Sequence, residues 1–115
     1  MEKVASKIAG WGVPGLVLVV AIDATGLAGA AAITTALAAI GPGGIVGGVM
    51  FLLGSGLILD GLAEWGVDTL VFGVIQQLYR NGETKESITR TISKLPLSKS
   101  LKKKLYWEIE HFKDS

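Results

Sequence analysis

From Ile8 to Tyr79 the chain runs 72 residues without a single Lys or Arg. The only charges in that stretch are Asp23, Asp60, Glu64 and Asp68, for −4. Every cation sits at an end: Lys3 and Lys7 before it, and nine basic residues from Arg80 onward against five acidic ones. Soluble helices normally present Lys and Arg on their outer faces, so a cation-free block of this length is expected to be covered by lipid or by a tight oligomer. With 50% hydrophobic residues and a mean hydropathy of +0.50 across 115 residues, the chain is too apolar for disorder and of a length for one domain. Absence of Cys removes disulfide scaffolds, thiolate metal sites and Cys nucleophiles, and the lone His111 removes multi-histidine sites. The expected class is an all-α integral membrane protein.

The longest uncharged run, Ala24 to Leu59, is broken only by Gly41-Pro42-Gly43-Gly44. Proline lacks a donor and the glycines admit positive φ, so this tetrapeptide reads as a turn (41–44). A helical hairpin is expected, with arms 24–40 and 45–63. The second arm would span about 28 Å at 1.5 Å per residue, close to a hydrocarbon core of about 30 Å. The first arm is Ala-rich and only marginally apolar, so it needs a protein neighbour more than lipid.

Two apolar segments flank the hairpin, 11–22 and 69–79. In the latter Leu70, Val71, Val74, Ile75 and Leu78 form a stripe of helical period. It could lie in the membrane interface, re-enter, or continue a long tilted helix from Ile45 through Tyr79. Lys3, Lys7, an apolar segment and Ala28-Gly29-Ala30 together imitate a secretory signal, which we read as uncleaved membrane structure. Basic residues at both ends place both termini on the cytoplasmic side and require an even number of crossings. Two crossings are expected first, with four short ones as the alternative. Residues 1–79 thus form a membrane domain and 80–115 a basic amphipathic helical tail.

Within the apolar block the glycines are regularly spaced. Gly43 with Gly47, and Gly44 with Gly48, form two overlapping GxxxG pairs, while Gly47, Gly54 and Gly61 recur every seven residues. Lipid offers no hydrophobic drive between helices, so association relies on close backbone approach over small residues. These six glycines are the expected helix-packing and homo-oligomerisation surface, with a small-residue row at Ala24, Ala28, Ala32 and Ala36 as the partner within the chain. Asp60, Glu64 and Asp68 fall at i, i+4 and i+8, so a continuous helix would align them as an acidic face able to line a pore or attract cations. Outside the hydrocarbon the same carboxylates would simply be hydrated. Asp23 divides two apolar stretches, either as a cap at a helix break or as a group facing a water-filled path.

In the tail, Asn81-Gly82 ends a helix, Thr84 and Ser98 are N-cap residues, and Ile88, Ile92, Leu95 and then Leu101, Leu105, Ile109, Phe112 mark two apolar stripes. Lys99, Lys102, Lys103 and Lys104 form a basic surface for anionic lipid headgroups or a soluble partner. The spacing of Gly82, Thr84, Ile88, Leu95, Ser98 and Leu105 resembles a helix-turn-helix, but a usual third helix is missing, which argues against a nucleic-acid partner. No phosphate-binding loop, metal-spaced cluster or local Ser/His/Asp set is present, so neither an enzyme nor a cofactor is expected.

A short charged N-terminus, Gly/Ala-rich apolar segments (GLAGAAAITTALAAI, GPGGIVGGVMFLLGSG) and the basic SKSLKKKL give the chain a layout that resembles phage holins and other small pore-forming bacterial membrane proteins. The Gly/Ala-rich stretch is also similar to circular bacteriocins, although those are shorter and carry cations among their helices. No functional residue transfers from either family. The resemblance implies a protein of the bacterial inner membrane that self-assembles into a pore or permeabilising complex, its tail regulating assembly or docking a partner. Two other readings stand beside it: a non-conducting anchor presenting its tail, and a soluble helical bundle that inserts its hairpin on triggering.

Overall fold

The computed structural model describes residues 1–38 and 48–112. Described residues form six helices and no strand: α1 (Glu2–Ala9), α2 (Val13–Ala38), α3 (Gly48–Trp65), α4 (Val67–Arg80), α5 (Lys85–Lys94) and α6 (Lys99–Glu110). The all-α expectation holds.

The centre is the first half of α2. Gly12, at φ +77°, turns the chain out of α1, and Pro14 sits in the first turn, where a missing N–H leaves no bond unmade. From Leu16 to Ile22 every side chain is buried, because α2 is apolar all round and is enclosed by the other five helices. Gly15 is what lets α1 cross it, since a Cβ there would run into the carbonyl oxygen of Ile8. At Gly26 (φ +75°) the helix is interrupted and re-aimed. Over Val13–Leu37, α2 is long and apolar enough to cross a membrane by length and composition, yet its first half lies inside the bundle. The structure therefore replaces the separate 11–22 segment and the 24–40 arm by one interrupted helix.

Helix α3 packs against α2, and Gly54, Ile58 and Gly61 lie on its buried side. Gly66, at φ +81° and ψ 164°, then ends it, and α4 starts in a new direction. A continuous tilted helix from Ile45 through Tyr79 does not form, because Gly66 takes a conformation that no helix interior tolerates. The expected stripe of α4 is real, but it faces protein: Leu70, Val71, Val74, Ile75 and Leu78 are all buried. Gly73 admits α1, with Met1 and Ala5 lying where its Cβ would be.

The ends of the last helices follow local chemistry. Gly82 (φ +103°) closes α4 with Gly82 N–H donating to Tyr79 O and Glu83 N–H to Leu78 O, a Schellman arrangement. Thr84 and Ser87 cap α5 reciprocally, and the Ser98 hydroxyl accepts from Leu101 N–H at the start of α6. Ile88 and Ile92 of α5 and Leu101, Leu105 and Ile109 of α6 join the same core as α2 and α4. The segment expected as a tail is thus packed against the central helix. Phe112 fixes its end by edge-on contacts with Phe72 and Tyr79 at 5.7 and 5.3 Å.

Candidate functional site

Two features of the described residues stand apart from the packed core. The first is an apolar exterior on α2 beyond Gly26 and on α3. Leu52 and Leu53 are 77% and 70% exposed, and Leu27 and Leu59 are exposed as well. Ala24, Ala28, Ala32 and Ala36, expected to receive the glycines of α3, are all exposed instead. Beyond Gly26, burial among the described residues of α2 falls on Ala30 and Thr34, whose hydroxyl donates back to Ala30 O at 2.8 Å. No cation lies on either helix.

Of the expected packing glycines, Gly43, Gly44 and Gly47 lie outside the described residues, as does the turn 41–44, and Gly48 opens α3. Gly54 and Gly61 do receive neighbours, and these are side chains of the same chain. A Cβ on Gly54 would stand 2.7 Å from the Trp11 ring, and one on Gly61 would stand 3.0 Å from Leu70. Gly54 and Gly61, seven residues apart, are both buried, and the protein's own Trp11 and Leu70 fill the space beside them.

The second feature is a cluster of charge where α2, α4 and α6 meet. Asp23 lies three residues before Gly26, and its carboxylate accepts from Lys104 Nζ of α6 at 3.3 Å. Asp68, in the first turn of α4, faces Glu108 of α6. Glu108 is 2% exposed; among the described residues no N–H or hydroxyl donor reaches its Oε2, and its carboxyl hydrogen-bonds Asp68. Burial foremost, then the hydrogen bond and charge of Asp68, push the Glu108 carboxyl up to about 7, with Asp23 adding and Lys104 opposing. The three carboxylates expected on one face are therefore divided by Gly66: Asp60 and Glu64 are exposed on α3, and Asp68, also exposed, lies on α4 beside Glu108 of α6. Beside this cluster opens a cavity of about 440 Å³ between α6 and the start of α4.

The basic residues of α6 also divide. Lys99 and Lys103 are exposed, Lys102 Nζ donates to Ser93 O at 2.9 Å, and Lys104 serves Asp23. Elsewhere Lys85 Nζ donates to Glu110 Oε1 at 2.8 Å and ties α5 to α6, a hydrogen-bonded ion pair that raises the lysine and lowers the carboxylate. Among the described residues no group of three His, Cys, Asp or Glu side chains could hold a metal ion.

Glu108 was not singled out by sequence reasoning, yet the signal was there. It falls three residues after Leu105 and four before Phe112, on the apolar stripe of α6, where a carboxylate has no hydrated position. Comparisons with protein-family models, with curated proteins and with solved structures found no match to this chain.

Proposed function

We propose that the second half of α2 and helix α3 enter a lipid bilayer as a hairpin while the bundle stays at its surface, and that copies assemble into a pore or permeabilising complex. One observation carries this reading. The outer faces of these two packed helices expose Leu27, Leu52, Leu53 and Leu59 with no cation among them, whereas the other elements bury most of their large apolar side chains, Met1 and Trp107 aside, and hold the basic residues. Large apolar exteriors of this kind mark contact with a membrane or a partner. Charge begins again at Asp60 on α3 and ends at Asp23 on α2, which sets the depth of entry. From Gly48 to Leu59, before that charge, α3 is about 18 Å long, enough to enter a hydrocarbon core of about 30 Å without this part crossing it. In a bacterial cell the basic ends keep both termini on the cytoplasmic face.

The experiment is purification in mild detergent with mass determination, then dye release from anionic vesicles with the same sample. A discrete oligomer that empties the vesicles is the expected result. Protein that binds vesicles and leaves them sealed would replace the pore by a non-conducting anchor.

A second reading is favoured by the burial of Leu16 to Ile22, which gives the bundle a core of its own. In that reading the chain is a soluble helical bundle whose hairpin inserts on triggering. Monodispersity without detergent would select it.

A further inference from the structure

One turn of α6 touches both points at which the hairpin leaves the bundle. Lys104 Nζ donates to Asp23 Oδ2 at 3.3 Å, three residues before the break at Gly26. Glu108 hydrogen-bonds Asp68, two residues after the break at Gly66. Lys104 and Glu108 are four residues apart on α6, so a single face of that helix spans the two feet of the hairpin. Neither break is crowded: no atom lies within 4 Å of the place a Cβ on Gly26 or Gly66 would take, which leaves the feet room to shift.

The tie to Asp68 works only with a proton in it. Carboxylate oxygens accept and cannot donate, so two carboxyl groups in hydrogen-bond contact need one of them protonated. Among the described residues no N–H or hydroxyl reaches Glu108 Oε2, and at 2% exposure the group has no bulk water to turn to. The charges that act on Glu108 are Asp68 of α4, Asp23 of α2 and Lys104 of its own helix. Arg80, at the far end of α4, pairs with Glu2, and α5 meets α6 through Lys85, which pairs with Glu110. Burial and Asp68 raise the Glu108 carboxyl to about 7, so the proton leaves near neutral pH.

Loss of that proton to solvent acts on both ties at once. Glu108 and Asp68 become like charges in contact, which drives them apart. Lys104, one turn from Glu108, is the cation that can answer the buried charge, and what it gives to Glu108 it withdraws from Asp23. We propose that this turn of α6 is a proton-operated clasp on the base of the hairpin. With the proton shared between Glu108 and Asp68, α6 holds the two feet together; without it, Lys104 turns from Asp23 to Glu108, Asp68 moves off α6, and the feet part. The clasp stands on contacts within the chain and does not depend on the membrane reading above, so its test uses no vesicles and the failure of either leaves the other standing.

The chain has no cysteine, so Ala24→Cys with Thr69→Cys, both at exposed positions and one beside each foot, carries spin labels at those two sites alone. Electron–electron distance measurement on the full chain in mild detergent, at pH values from 5 to 9, reads their separation. The expected result is a short, narrow distance in acid that lengthens by several ångströms in alkali, with a midpoint at about 7 and unchanged helicity by circular dichroism. Glu108→Gln puts a neutral amide donor against Asp68 and is expected to keep the short distance throughout. In Asp68→Asn the amide donates to the ionised Glu108 and holds one foot in place, so the lengthening is expected to be at most half that of the parent. Asp68 is exposed, so this variant keeps the fold even if Glu108→Gln disturbs it. A distance that ignores pH in the parent, a change that appears only with loss of helicity, or a response in Asp68→Asn as large as the parent's would overturn the clasp.

Discussion

The indole of Trp11 lies on Gly54, so close that a Cβ built there would stand 2.7 Å from Cη2 and 2.8 Å from Cζ3. Two residues on, Gly56 is exposed and has nothing within 4 Å of the same position. The two glycines share a helix and have opposite requirements. Alanine gains about 0.5–1 kcal/mol over glycine in a helix interior, so Gly56→Ala is expected to stabilise by that order. Gly54→Ala must displace the Trp11 ring and is expected to destabilise by about 1 kcal/mol net. Urea unfolding of the two variants reads the difference, and equal stability would show that Trp11 gives way freely. Assembly is better probed at Gly56: Gly56→Leu leaves the monomer intact and is expected to alter oligomer mass in detergent if copies pack over this face.

Gly15 is the stricter case. The atom in the way is the backbone carbonyl of Ile8, which cannot rotate aside as a ring can. Gly15→Ala forces α1 off the first half of α2, a change of the overpacking kind that costs about 1–3 kcal/mol or more. The expected result is lost helicity or a fall of several degrees in Tm by circular dichroism. A variant as stable as the parent would remove the close crossing of α1 and α2.

What the sequence made legible was local. Thr84, Ser98 and Gly82 mark helix ends because their hydrogen bonds and φ preference act within a few residues, and they do so where expected. The stripe of α4 was legible for the same reason, as periodicity is a property of one helix. Its partner was not. Hydropathy measures how strongly a side chain leaves water and says nothing of whether it enters lipid or a protein core, so Leu16–Ile22 and Leu52–Leu53 read alike and end up inside and outside respectively. Single glycines hid the breaks: Gly26 and Gly66 stand in otherwise helical patterns, and only their φ values show that the chain turns there. Glu108 had a readable position on its stripe, but the meeting with Asp68 depends on that turn at Gly66.

Because Leu52 and Leu53 are so exposed, Leu52→Ser with Leu53→Ser removes few contacts from the folded chain. Stability is expected to change by no more than about 0.5 kcal/mol per site, as for surface substitutions generally. Retention by anionic vesicles in a flotation assay is expected to fall at least several-fold, since each leucine withdrawn from water contributes about 1.5–3 kcal/mol. Undiminished flotation would move the membrane contact away from α3.

The buried carboxyl makes stability depend on pH, with a sign opposite to that of an ion-paired acid. Folding raises Glu108 from 4.5 to about 7, so between those values the folded chain holds a proton that the unfolded chain has released. Fewer protons on the unfolded side mean that stability falls as pH rises through this window and levels off above about 7. One pKa unit corresponds to about 1.4 kcal/mol, so the loss is on the order of 1–3 kcal/mol. Glu108→Gln carries no titrating proton, so its profile is expected to be flatter between pH 4.5 and 7, matching the parent in acid and exceeding it at pH 8. Chemical denaturation at pH 5 and pH 8 decides it. Parallel profiles for the two proteins would mean that Glu108 is charged in the folded chain, with its Oε2 satisfied by water or ligand.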